Sequence, residues 1–513
     1  MNLLRRFPFV NVTALSMTAL TLCLPACSLA PAYHHPTVES NIPLSAMQIP
    51  VQAQLKAHTI SWHNYFNDPR LKALVKIGLK NNYQVQKAML KLKAANAQYG
   101  LDTYNLFPNL EFQGIKKTRS APLNYHESKE LIRKNYSAGL GVTHFELDLY
   151  RKFDQADAYK HTIQANLFDQ ASARIAFISS LAKKYFSVVT NAAFLKNAQQ
   201  NVGYQREIYR VQKLRYHSGV ISKLELLTHQ NALEMAESAV LDAQQTYDKS
   251  RNELALLVGQ PISQADLPAA LSLAQQFKFT VWPENIPAEV MLYRPDIRAA
   301  EEMLRKSNAE LGVARSAFFP RVIINAALST AAPHFNALFS SRHTAWSAGP
   351  AATIPIFDIF PNLSQLKLAK IQKEGLLLDY QQAIQQAFFE VTTAMQVYNQ
   401  LDAQYKLDIK LLANTRKIRD LTRLRFNEGI SSRNEMLEAE KKYIETQNKF
   451  LKTQLLKLFN QVYSCSSLLI HSSAFIPEQF MITYTRSVIW ICDTRVTYIL
   501  EVHDRLKWQY TGC

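Results

Sequence analysis

The chain has 513 residues, is 48% hydrophobic and contains only 13 glycines, which excludes an intrinsically disordered chain and leaves room for about two to four domains. Its formal charge of +17 comes without a basic run or an RNP-type aromatic motif, so it reads as solvated helix faces and excludes nucleic acid as a partner. All five cysteines lie outside the span Ser28–Ser464, which excludes a disulfide framework, a CxxC metal site and a thiol nucleophile from the body.

The leader comes first. Met1 to Arg6 form a short positive segment, and Phe7 to Leu24 is apolar but too short for a membrane span. It ends in Leu24-Pro25-Ala26-Cys27, the form of a lipobox, in which Cys27 is diacylated and becomes the mature N-terminus; the alternative is an ordinary signal peptide. Residues 1–26 are thus a signal peptide and 27–68 an irregular strap. Ser28, rather than Asp, fits sorting to the outer membrane by analogy with bacterial lipoproteins. His34 and His35 lie in the strap and read as solvent-exposed.

The spacing predicts a first helix over Pro69–Tyr104, with Pro69 at its start and an apolar stripe at Leu71, Leu74, Ile77, Val85 and Leu92. A strand follows near Asn109–Lys116, with Leu110 and Phe112 on one face and Glu111 and Gln113 on the other. That alternation suits a barrel strand with a wet lumen, and equally a half-buried soluble strand. Residues 121–126 read as an exposed loop, and a second strand is expected over Tyr136–Leu149. From Asp154 to Ser218 there is no proline and one glycine, Gly203, so a helix about 100 Å long is predicted. Gly219 ends it, and a return helix runs from Ile221 to Val258.

Four prolines mark residues 260–294 as a linker. A helix is then expected over Pro295–Phe319, with Asp296, Glu301 and Glu302 in its early turns where the dipole favours negative charge. Strands follow over Arg321–Thr330 and Trp346–Phe357, then a long helix over Asn362–Glu428 and a return helix over Arg433–Gln461. Pro350 and Pro355 make the fourth strand the weakest. Phe107-Pro108 matches Phe319-Pro320, Tyr136–Gly139 matches Trp346–Gly349, and Leu214–Gly219 matches Leu424–Gly429. The chain therefore reads as two copies of one unit, helix-strand-strand-long helix-helix, over 69–259 and 295–462. Residues 463–513 change composition, carry three cysteines and lack a period, as a frameshifted coding end would.

The run from Arg294-Pro295-Asp296-Ile297 through Leu311-Gly312 to Phe318-Phe319-Pro320 resembles the signature of the outer-membrane factor (TolC-like) efflux channels. It is most similar to the lipoprotein branch serving resistance-nodulation-division pumps. Cys27–Tyr33, Trp62–Pro69 and Phe145–Tyr150 resemble the same family, and the likeness spans residues 20 to 460. Two departures stand out: Ile359-Phe360-Pro361 replaces the family's Gly-Gly turn, and Arg151 replaces a glycine.

The resemblance implies a homotrimer: a mixed α+β, mostly α chain giving a 12-stranded outer-membrane β-barrel continuous with a periplasmic α-helical coiled-coil tunnel. Physics agrees that one chain is not enough, since four strands cannot close a barrel and open edges are not tolerated in lipid. The implied partners are a periplasmic adaptor, an inner-membrane resistance-nodulation-division transporter and outer-membrane lipid. The resemblance puts the gate at the turns after Gly219 and Gly429. Glu438 is the aperture candidate, with its repeat equivalent Thr228 and with Asn434. Arg215 and Arg425 join the two glycines as candidates for adaptor docking. A soluble periplasmic adaptor or spacer, and a type I secretion conduit, are the rival readings. No enzyme is expected, since GxSxG, HExxH, P-loop and paired-histidine spacings are missing and His126, His144 and His217 are isolated. No cofactor, metal or catalytic residue is expected either.

Overall fold

The structure, a computed structural model, describes residues 28–36, 66–104, 107–122, 130–146, 148–263, 267, 291–338, 340, 343–355 and 357–468. Cys27, most of the 260–294 linker, the greater part of the 121–126 loop and residues 469–513 lie outside them.

The first helix is two helices. α1 spans Pro69–Asn81 and is capped by Asp68, whose carboxylate accepts from the Arg70 N–H at 2.8 Å. Asn82 is extended (φ −70°, ψ 124°) and closes α1 by donating its N–H to the Gly78 carbonyl. The Asn82 side chain then accepts from the Gln84 N–H at 2.9 Å and opens α2, Tyr83–Tyr104. A capping side chain thus interrupts a stripe that hydrophobic spacing alone reads as continuous.

Four antiparallel strands follow in the order β1-β2-β3-β4: Leu110–Pro122, Glu130–Glu146, Arg321–Ala332 and Thr344–Thr353. β1 and β2 are longer than the sequence suggests, and β4 ends before Pro355. Pro350 does lie within β4, opposite Ile324. Within this chain's sheet β4 is an edge strand, the position where proline is tolerated.

α3 (Leu149–His217) and α6 (Ile359–Asn427) have 69 residues each, and α4 (Lys223–Val258) and α7 (Arg433–Leu468) have 36 each. Each member of a pair begins 210 residues after the other. Both long helices start earlier than predicted. Asp148 caps α3 by accepting from the Arg151 N–H at 3.1 Å. Pro361 falls in the first turn of α6, where no intrahelical donor is needed. The two departures at the strand-to-helix corners are therefore built as helix starts. α7 continues beyond the predicted Gln461.

α5 (Pro295–Ser316) fits between α3 and α6, and α2 packs on α3. The helices beside the sheet thus run α2-α3-α5-α6, in the same order as the strands that adjoin them. Farther from the sheet, α3–α4 and α6–α7 form two antiparallel hairpins joined by contact of α7 with α3. One core, built on Leu71, Leu181, Tyr185, Phe186 and Leu254, gathers α1, α3, α4 and α7. The Tyr185 hydroxyl is buried there and donates to Asp68 at 2.6 Å. A second core, with Ile297, Leu304, Tyr380 and Ile384, joins α5 to α6.

Candidate functional site

The site is a wall and not a pocket, and its first part is the sheet. Register places Phe112 opposite Leu140, Leu140 opposite Leu328, and Leu328 opposite Trp346. These four form one row across all strands and are 70, 42, 53 and 78% exposed. One residue along, the opposite face carries the row Gln113, Gly139, Ser329 and Ala345. One face is thus apolar and open, and the other is small and polar. The outer edges of β1 and β4 pair with nothing among the described residues. Among the described residues no helix is long and apolar enough to cross a membrane.

The second part is the strap. Residues 28–36 lie against α5, pointing away from the sheet as they proceed: Leu29 O accepts from Arg315, Pro31 O from Asn308, and His35 pairs with Glu301 at 2.9 Å. His35 is solvent-exposed, as the sequence suggests, and its ring still reaches Glu301. At the sheet end, the buried Asp154 carboxylate accepts from the Ser28 hydroxyl and, at 3.0 Å, from the Leu29 N–H. Gly312 makes this approach possible: a Cβ there would lie 2.1 Å from the Asp154 Oδ2 and 2.6 Å from the Ala30 nitrogen.

Beneath the strap lie two adjacent buried carboxylates. Glu301 bonds to Arg298 at 3.0 Å and Arg305 at 2.7 Å. Glu302 accepts from His161 of α3 at 2.6 Å, and His161 also faces Asp157 at 3.5 Å. Burial works against charge on His161, but the hydrogen bonds to Asp157 and Glu302 outweigh it and raise its pKa to about 9. Sequence reading placed these acids by the helix dipole alone. The signal it passed over is that Glu301 falls in the same stripe as Ile297, Leu304 and Leu311, where a charge must find a partner.

The third part is the tip. Both long helices end at glycines with left-handed backbone, Gly219 (φ 71°) and Gly429 (φ 74°), as predicted. Ser222 and Ser432 open the return helices by accepting from the N–H groups of Glu225 and Glu435, each at 3.2 Å. Arg215 and Arg425 are exposed on the last turns. Arg215 donates to Gln212 at 3.3 Å. Thr228 returns its hydroxyl to the Leu224 carbonyl, and Glu438 is half exposed with Lys441 at 3.8 Å. Asn434 accepts from Gln212 of α3 at 3.4 Å.

That last contact belongs to a seam between α3 and α7 that sequence reading missed. Glu207 pairs with Arg433 at 2.6 Å, Tyr204 donates to Glu440 at 3.3 Å, and Asn197 donates to Asn448 at 2.6 Å. Glu440 is buried and also bonded to Arg423 of α6. It sits in the stripe of Leu437, Ile444 and Leu451, the same unread signal as Glu301. Among the described residues no cluster of metal-ligating side chains occurs.

Known proteins of similar sequence and fold bear on what this sheet and these long helices form. The family model for outer membrane efflux proteins matches residues 74–260 and 286–462. The toluene efflux pump outer membrane protein TtgC of Pseudomonas putida is 30% identical over 435 residues, 83% of this chain and 89% of that protein. The cation efflux system protein CusC of Escherichia coli is 28% identical over 433 residues, 82% of this chain and 91% of that protein. The crystal structure of the open state of the Neisseria gonorrhoeae MtrE outer membrane channel aligns with a TM-score of 0.77 at 29% identity, covering 87% of this chain and 99% of that one. By sequence, and by the fold that the sequence specifies, the chain belongs to the outer membrane efflux protein family.

Proposed function

We propose that three copies of this duplicated chain join β1 to β4 around a ring and close a twelve-stranded barrel in the outer membrane. The helices continue it as a water-filled conduit through the periplasm. The protein is the outer-membrane channel of a tripartite efflux system and carries small molecules passively. A periplasmic adaptor meets the tips around Gly219, Gly429, Arg215 and Arg425, and an inner-membrane resistance-nodulation-division transporter selects the cargo. The relatives are named for different cargoes, toluene and cations, while the fold is shared, which fits selection elsewhere in the machine.

One observation carries this reading: the exposed row Phe112–Leu140–Leu328–Trp346 on a sheet with two open edges. In water that row is a liability; in lipid it is the required outer face, and lipid forbids the open edges. A soluble spacer has no use for either. Ser28 bound at Asp154, just beyond the β2–α3 corner, holds the start of the strap close to the sheet, which supports its sequence neighbour Cys27 as a lipid anchor.

At the tip, the α3–α7 seam holds the two hairpins together. Three copies of Glu438, flanked by Asn434 and Thr228, line the aperture and favour cations. Adaptor binding parts the seam and widens it. The test is extraction from outer membranes, unboiled against boiled, with conductance in planar bilayers. An unboiled band near three times the monomer, with steady cation-preferring conductance, supports the reading. A monomer released without detergent sinks it.

A further inference from the structure

Where the two hairpins meet, the chain encloses a cavity of about 570 Å³ that the conduit does not use. That volume lies within the range of small-molecule sites, roughly 300–1,000 Å³. α3 and α7 supply most of the wall, α4 adds Tyr247, and α6 adds Arg419 and Arg423.

The wall is graded along the helix axis. Its α3 residues run from Val188 to Tyr204, a rise of about 24 Å. At the Val188 end it is apolar. Val188, Val189 and Leu451 are at most 6% exposed. Val188, Val189 and Tyr247 belong to the larger core, and Leu267 of the linker packs against it. Toward the Tyr204 end the wall becomes charged. Tyr204 and Arg423 both bond to Glu440, and the Arg419 guanidinium lies 4.2 Å from the centre of the Tyr443 ring.

The charged groups of this wall are three cations, Lys196, Arg419 and Arg423, against one carboxylate, Glu440. Glu440 is buried and already engaged by Arg423 and Tyr204. Arg419 shares the half-exposed Asp420. Lys196 is exposed and makes no ion pair among the described residues. An anion entering here meets unspent positive charge. A cation would add a fourth like charge and find its one acid taken.

We propose that this cavity binds a single-chain amphiphile with an anionic head group. The tail lies against Val188, Val189 and Leu451, where it leaves water for an apolar wall. The head lies at Lys196 and Arg419. The occupant touches α3, α6 and α7 and so bridges the two hairpins. The site is complete within one chain and does not depend on the ring of copies or on what the channel carries.

The test uses the full-length protein in lipid nanodiscs. Decanoate carrying a diazirine near the end of its chain is photolysed with it, and the cross-linked peptides are mapped by mass spectrometry. Label is expected on residues 188–193 of α3 and around Leu451 of α7. Excess plain decanoate should displace it, and decyltrimethylammonium should not. Label absent from these two helices, or equal displacement by the cationic amphiphile, overturns the proposal. Lys196→Glu leaves the apolar wall intact and should lower the label about fivefold, since repulsion replaces attraction at a half-open site. Unchanged label in that variant overturns the proposal. Ala192→Phe should fill the apolar end and abolish the label, and a folded Ala192→Phe protein that labels like the parent overturns it as well. If that variant does not fold, Lys196→Glu decides alone.

Discussion

Gly312 illustrates what one missing methyl group can do. A Cβ there would lie 2.1 Å from an Asp154 oxygen and 2.6 Å from the strap backbone, so either α3 or the strap must move. Gly312→Ala is expected to cost about 1–3 kcal/mol by overpacking and to expose residues 28–36 to protease. An unchanged digestion pattern would refute this account of the strap. His161 makes a pH-dependent contribution. Its pKa rises from 6.5 in the unfolded chain to about 9 in the folded one, so the folded state holds this proton more tightly. The stabilisation is full below 6.5 and is withdrawn as pH climbs through about 9; it amounts to at most roughly 3 kcal/mol at 1.36 kcal/mol per unit. His161→Gln should flatten the decline in urea midpoint between pH 6.5 and 9.5, and a decline as steep as in the parent would assign it to other groups.

At the scale of elements, the long hairpins depend on two turns. Gly219 and Gly429 adopt φ of 71° and 74° with open space around them, so substitution there meets backbone strain without a clash. Gly429→Val should cost about 1–2 kcal/mol, the penalty for a side chain in the left-handed region. It should loosen the tip, read as faster amide exchange in the first turns of α7. The α3–α7 seam is the complementary feature. Arg433→Ala removes the Glu207 pair, which is about half exposed on the arginine side, so little global stability is at stake. Its effect belongs at the tip, as a higher conductance of the closed channel in bilayers; unaltered conductance would remove the seam from the gate.

At the scale of the whole molecule, the two sheet faces predict opposite responses to the same substitution. Leu140→Lys places a charge in the middle of the apolar row and should cost about 2–4 kcal/mol in a bilayer. Ser329→Lys, in the row on the other face, should cost far less, since that row is small and polar. Urea unfolding in lipid vesicles measures both, and equal costs would mean that the sheet does not separate lipid from lumen. The sheet and the helical layer share one order of elements and one pair of open edges.

The sequence by itself determined the element plan, the internal repeat, the glycines that end the long helices and the family. These follow from periodicity, proline and glycine placement, and short motifs, all of which are local. It also placed Pro350 at a weak strand, and the edge position of β4 explains how that strand survives. What only the tertiary structure decided is which polar groups face one another. Glu301, Glu302 and Glu440 lie in apolar stripes, and each finds its partners on other segments: His35, His161, Tyr204 and Arg423. Asn82 broke a helix that hydrophobic spacing read as continuous, because one side-chain oxygen facing the next turn outweighs a run of apolar residues. A local pattern records that a residue will be buried. It cannot record against what, because a buried charge is stabilised only by partners that the fold brings from elsewhere in the chain.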